Sequence, residues 1–212
     1  MAELNGVILA IAGGIGAGKT TLGDLLAKRM GAEFYQEPLV PSLLKQFLDD
    51  QRKYAYAFQL YMLTRRQLNY ALAKKNRKAN INTVIDRTLR CDKVFADLQN
   101  KSGHISDDEL KVYNNVYNDF MRFKPDIVLY LDVSVDVAMD RIKSRNRDGE
   151  STYTREYLIM LINEYEIAMK ELEDNGITVC RLDWNSHMDL TDEITIQNAI
   201  DDVMAKIYEL TV

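Results

Sequence analysis

The chain has 212 residues, a length suited to one α/β sheet covered on both faces, and 47% hydrophobic with 28% charged residues gives an ordinary globular core. A formal net charge of −5 argues against nucleic acid or an anionic membrane as the main partner, since both attract basic surfaces. Two cysteines, Cys91 and Cys180, lack CxxC spacing; this excludes a disulfide framework and a zinc site, and both read as buried spectators.

The apolar run over 7–12 breaks at Gly13 and Gly14, too short for a secretory leader or a membrane span, so a cytoplasmic location is expected. That run is a β-rich strand leading directly into glycines. A helix over 19–30 follows, with Leu22, Leu25, Leu26 and Met30 on one face and Gly31 as its stop. A short strand over 33–36 precedes Glu37-Pro38. A long helix covers 54–78, and a buried strand over 82–85 delivers Asp86 and Arg87 at its carboxyl end. Ser106 with Glu109 forms a capping box that opens a helix through Phe120. Pro125 introduces a near-continuous apolar strand over 126–133. Helices follow over 135–144 and 155–173, then a fifth strand over 177–182 and a last helix over 194–210. No repeat, low-complexity stretch or linker divides the chain, so a single domain over 1–212 is expected. The order predicts a doubly wound, five-stranded parallel α/β sheet with helices on both faces, whose ligands gather at the carboxyl ends of the strands.

Gly13-Gly14-Ile15-Gly16-Ala17-Gly18-Lys19-Thr20 matches GxxxxGK[ST] between an apolar strand and an amphipathic helix, the context a phosphate-binding P-loop needs. Glycines let the backbone point N–H groups at phosphate oxygens, and the helix N-terminus adds positive potential. Lys19 can bridge the β- and γ-phosphates of ATP, the Thr20 hydroxyl can ligate Mg²⁺, and Thr21 joins the ATP-binding set. A GTPase would carry an NKxD clamp. The nearest string, Asn100-Lys101-Ser102-Gly103, lacks the acid, and no DxxG switch is present.

Other clusters fall where a phosphoryl-transfer site needs them: Glu37 after the second strand, Asp86-Arg87-Thr88 after the third, and a basic run from Arg141 to Glu150. Mobile cations over the equatorial phosphate oxygens are what such chemistry requires, and a basic lid supplies them. Together these motifs resemble the deoxynucleoside kinase family of P-loop kinases, the group containing deoxycytidine, deoxyguanosine, deoxyadenosine and mitochondrial thymidine kinases. The likeness covers most of the chain, from the P-loop at 13–20 to the lid at 141–150.

The resemblance implies an ATP- and Mg²⁺-dependent 5′-kinase for a deoxynucleoside. It makes Glu37 the general base, Arg87 its orienting partner and Asp86 an aid to the metal. Phe58-Gln59 is similar to the family's Phe-Gln, whose glutamine pairs with the base. Arg141, Arg145 and Arg147 fall on lid arginines, and Glu150 on the glutamate that holds the 3′-hydroxyl. Arg66 and Asp92 fall where an Arg-Asp pair reads the base in the purine and cytosine branch, and Tyr61-Met62-Leu63-Thr64 is like bacterial deoxyadenosine kinases, so deoxyadenosine is expected first. The family usually has a tyrosine about eleven residues before Gln59, where this chain has Leu48. Tyr113 and Tyr117 are either core or part of a helix-pair homodimer interface, and Trp184 either approaches adenine or packs in the core. His104 and His187 lie in polar stretches and are expected at the surface. A nucleoside monophosphate kinase and a non-catalytic nucleotide sensor are the competing readings.

Overall fold

The computed structural model describes residues 4–120, 124–146, 150–185 and 193–211. Its strands are β1 (Ile8–Ala12), β2 (Glu33–Tyr35), β3 (Thr83–Asp86), β4 (Ile127–Asp132) and β5 (Thr178–Asp183). They form one parallel sheet in the order β2-β3-β1-β4-β5. β1 and β3 are buried along their whole length, as strands covered on both faces must be.

The helices are α1 (Lys19–Met30), α2 (Pro41–Asp49), α3 (Gln51–Lys78), α4 (Leu89–Lys101), α5 (Asp107–Phe120), α6 (Val135–Arg145), α7 (Arg155–Asp174) and α8 (Glu193–Thr211). α1 packs against α8, while α4 packs against α3, α5 and α7. The chain winds one way from β1 to β2 and β3, then crosses back to β4 and β5. That reversal opens a crevice at the carboxyl end of β1, the place where doubly wound sheets bind ligands. No helix among the described residues is long and apolar enough to cross a membrane.

The expected capping box is formed: Ser106 N and Oγ each donate to Glu109 Oε2 at 2.8 Å. Gly31, at φ +59°, closes α1 in the left-handed conformation. Two helices were not foreseen. α2 starts with Pro41 in its first turn and buries Leu44 and Phe47. It meets α3 at Asp50, whose carboxylate caps the Lys53 N–H at 3.2 Å, so α3 starts at Gln51 rather than 54. α4 was hidden because it buries Arg90, Asp92 and Gln99 alongside Leu89, Val94 and Leu98, leaving no clean polar face for periodicity to detect.

Candidate active site

β1 ends in a loop in which Gly13, Gly16 and Gly18 hold positive-φ conformations that other residues rarely adopt. Gly16 has φ +78°, and a Cβ there would sit 2.7 Å from the Ala138 carbonyl oxygen, inside any tolerable contact. Lys19, in the first turn of α1, donates to the Gly14 carbonyl at 2.7 Å. Burial, reinforced by the Arg87 charge, lowers its ammonium to about 7. Thr20 Oγ1 donates to Asp86 Oδ2 at 3.0 Å, and Asp86 Oδ1 is buried with no hydrogen-bond partner among the described residues. A hydroxyl and a half-satisfied buried carboxylate make a hard oxygen donor set that fits Mg²⁺, which takes few protein ligands and completes its shell with phosphates and water. No larger cluster of His, Cys, Asp or Glu suited to a metal occurs among the described residues.

β3 ends at Asp86, and Arg87 takes φ +72°, costly for a side chain with a Cβ and characteristic of functional sites. The strained turn aims the guanidinium across the sheet end. Its Nε donates to Glu37 Oε1 at 2.9 Å, and Nη1 donates to the Gly13 carbonyl at 2.9 Å and to the Tyr165 hydroxyl. The Phe95 ring lies 5.0 Å from the guanidinium carbon. Arg66 on α3 approaches the same carboxylate, its Nη2 donating to Glu37 Oε1 at 3.0 Å. Its Nε donates to Asp92 Oδ2 at 2.5 Å and its Nη1 to the Asp86 carbonyl at 2.5 Å. Burial opposes ionisation of Glu37, but Arg87, Arg66 and Lys19 together outweigh it and hold the carboxyl at about 2. Burial raises Asp92 above the ordinary carboxylate range in spite of its arginine partner.

These groups converge on a cleft of about 1040 Å³. Lys19, Thr20 and Thr21 line it together with Glu37, Asp86, Arg87, Gln59 and Asp92; Arg87 links Glu37 to the P-loop at Gly13, and Arg66 links it to Asp92. Ile15, Gly16 and Gly18 also line it. Gly13, Gly14 and Ala17 do not; their carbonyls instead accept hydrogen bonds from Arg87, Lys19 and Arg141. Arg66 is not at the cleft wall but fully buried, which sets it apart from Asp92, its expected companion in reading the base. The Arg66–Asp92 pair is no surface ion pair.

At the far end of α6, Arg145 pairs with buried Glu150, its Nη2 donating to Oε2 at 2.6 Å, and both residues line the cleft. Arg141 donates to the carbonyls of Ala17 at 3.3 Å and Trp184 at 2.9 Å, clasping the P-loop from above α1. Trp184 lines the cleft beside Gly18. Arg147 and His187 lie outside the described residues. His104 is half-buried, and its Nδ1 is hydrogen-bonded to Gln99 Oε1 at 2.8 Å. Tyr113 and Tyr117 are core residues. Cys91 is buried as expected and Cys180 half-buried.

Leu48 is half-buried against the small core cluster of Leu44, Phe47, Ala55 and Ile105; Leu44 and Phe47 line the cleft and Leu48 does not. Two aromatic walls also went unseen in the sequence. Phe47 stacks on Phe58 with centroids 4.8 Å apart, and Tyr153 stacks on Tyr157 at 5.4 Å. The Leu44, Phe47, Leu48 spacing after Pro41 is the signal that could have revealed α2 and its aromatic residue.

A family model described as deoxynucleoside kinase matches residues 9–211. The chain belongs to the deoxynucleoside kinase family. It is 36% identical over 191 residues to the deoxyadenosine kinase of Dictyostelium discoideum, covering 88% of this chain and 76% of that one. It is 33% identical over 187 residues to the deoxyguanosine kinase of the same organism, covering 86% and 66%. The deoxyadenosine kinase of M. mycoides, solved with the products dCMP and dCDP, superposes with a TM-score of 0.81 at 29% identity, covering 96% of this chain and 100% of that one. The protein is thus an ATP-dependent deoxynucleoside kinase with the P-loop kinase fold.

Proposed function

We propose that this kinase transfers the γ-phosphoryl group of ATP to the 5′-hydroxyl of a purine deoxynucleoside, with deoxyadenosine the preferred acceptor. The carrying observation is Glu37: an ionised carboxylate at the cleft wall fixed by two buried arginines, of which Arg87 also reaches the P-loop carbonyl of Gly13 and Arg66 also reaches Asp92. The acceptor O5′ forms its bond to the γ-phosphorus as the bond to the β-bridging oxygen breaks, and Glu37 takes the hydroxyl proton. A carboxylate this acidic is a weak base, but in a loose transition state the proton moves late, once O5′ has become acidic. Lys19, Arg145 and Arg147 neutralise the transferring group, Arg141 holds the donor loop, and Glu150 meets the 3′-hydroxyl. Thr20 and Asp86 would hold Mg²⁺, which would supply positive charge to the phosphates during transfer.

Base choice rests on Asp92 and Gln59 at the pocket wall. An ionised Asp92 accepts from an exocyclic amine, as adenine and cytosine offer and thymine does not. Similarity to a deoxyadenosine kinase supports the purine, although the M. mycoides relative was solved with dCMP. A nucleoside monophosphate kinase would need cations for the acceptor's own phosphate, whereas here Arg66 and Arg87 both engage Glu37. We further propose a homodimer, through the outer surface of α3 and α5. Coupled ADP release, measured across deoxynucleosides and their monophosphates, tests the activity. Turnover should be highest with deoxyadenosine and absent with monophosphates; turnover with monophosphates alone, or none with any acceptor, would reject it.

A further inference from the structure

Arg66 is among the largest fully buried side chains of the described residues, yet it carries a permanent charge. A buried guanidinium is tolerated only where every direction it points is met by an acceptor, and its planar fork cannot adapt as an ammonium can. Here the acceptors come from separate elements: Asp92 from α4, the Asp86 carbonyl from the end of β3, and Glu37 from the segment after β2. Their arrangement fixes the arginine, and the arginine fixes them. It is fully buried and does not line the cleft, and its contacts in this structure are with the protein's own acceptors.

We propose that Arg66 is a positioning residue for phosphoryl transfer, aligning Glu37 for the 5′-hydroxyl by tying it to Asp92 and to the end of β3. Arg66 Nη2 and Arg87 Nε both donate to Oε1 of Glu37, which leaves Oε2 as the oxygen for the substrate hydroxyl. Two donors from different elements fix the position of Oε1 and so restrict how the carboxylate can turn. Asp92 then touches the chemistry through Arg66: a base that pulls Asp92 out of place turns Arg66, and Arg66 turns Glu37. Discrimination against a wrong base would therefore appear in kcat as well as in KM. The inference rests on Glu37 being the proton acceptor.

A double-mutant cycle of Arg66→Lys and Glu37→Gln, read as kcat at saturating nucleoside and ATP, tests it, because residues that act through one another are non-additive. Lysine keeps a charge for Asp92 but cannot bridge the other acceptors. With Glu37 present, Arg66→Lys should lower kcat on the order of tenfold; in the Glu37→Gln background, by less than about twofold. Equal factors in the two backgrounds, or a raised KM with kcat unchanged, would overturn the positioning role while leaving Glu37 as the base. If Glu37→Gln alone keeps kcat within about fivefold, the proton-acceptor reading falls, and this inference with it. Should Arg66→Lys fail to give a cooperative thermal transition, the cycle is run with Arg66→Met plus Asp92→Ala, which removes both buried charges, under the same criteria.

Discussion

Glu37 faces Lys19, Arg66 and Arg87, and their charge holds its carboxyl at about 2 against the burial that opposes it. A depressed acid contributes stability that is fully present above its unfolded value near 4.5 and is lost only as pH falls through the folded one. Between pH 8 and 5, then, neither the ionisation of Glu37 nor its share of stability changes. In the pH profile of nucleoside kcat/KM at saturating ATP, Glu37 should contribute no limb in that window; a limb lost in Asp92→Asn belongs to Asp92, whose carboxyl burial raises, and one that persists there would assign the proton to another group. Glu37→Gln keeps the shape and loses the acceptor, so kcat should fall about a hundredfold with nucleoside affinity kept, as read by calorimetry beside steady-state rates. Lys19 is the opposite case, a base whose burial lowers it to about 7 in the free protein. A triphosphate favours its charged form and raises it again. ATP binding at pH 8 should therefore take up protons, measurable by calorimetry in buffers of different ionisation enthalpy, and Lys19→Ala should abolish that uptake together with on the order of a thousandfold in rate.

α4 shows how one cap positions chemistry. Thr88 follows the strained Arg87 and accepts from the Cys91 N–H at 3.2 Å, which starts the helix that carries Asp92 and Phe95 into the cleft. Thr88→Ala should cost about 1 kcal/mol, a fall in Tm of about 2–4 °C, and Thr88→Ser should restore most of it. If the cap serves the site, the alanine variant also raises nucleoside KM more than ATP KM. The same element explains what could be read in advance. The P-loop, Glu37 and Asp86-Arg87 were legible because glycine geometry and strand ends tie function to local sequence. α2 and α4 were not, since α4 buries charges that look like surface residues, and the Phe47–Phe58 wall depends on a corner at Asp50. Arg66 was legible as important but not in its placement, because which of three acceptors surround a buried arginine is a tertiary fact.

At the scale of the whole molecule, α3 links the site to the surface. Its inner side carries Gln59 and Arg66, while Leu68 and Leu72, one turn apart, are 51% and 45% exposed. α5 packs against α3, with Tyr113 and Tyr117 turned into the core and Val112 49% exposed. Isolated apolar residues on a surface are ordinary, and α7 exposes Ile159, Met160 and Ile167 as well; the dimer proposed above would bury those of α3 and α5. Sedimentation equilibrium at micromolar concentration should give twice the 24.4 kDa chain mass. Leu68→Glu with Leu72→Glu introduces carboxylates that burial against a partner would strand, and should give a monomer. Because α3 also holds Gln59 and Arg66 on its inner side, that monomer should keep ATP affinity while nucleoside kcat falls several-fold. A wild-type chain that sediments as a monomer would sink the dimer outright. A monomeric variant with unchanged kcat would instead show that the α3 site residues are held by their own chain alone.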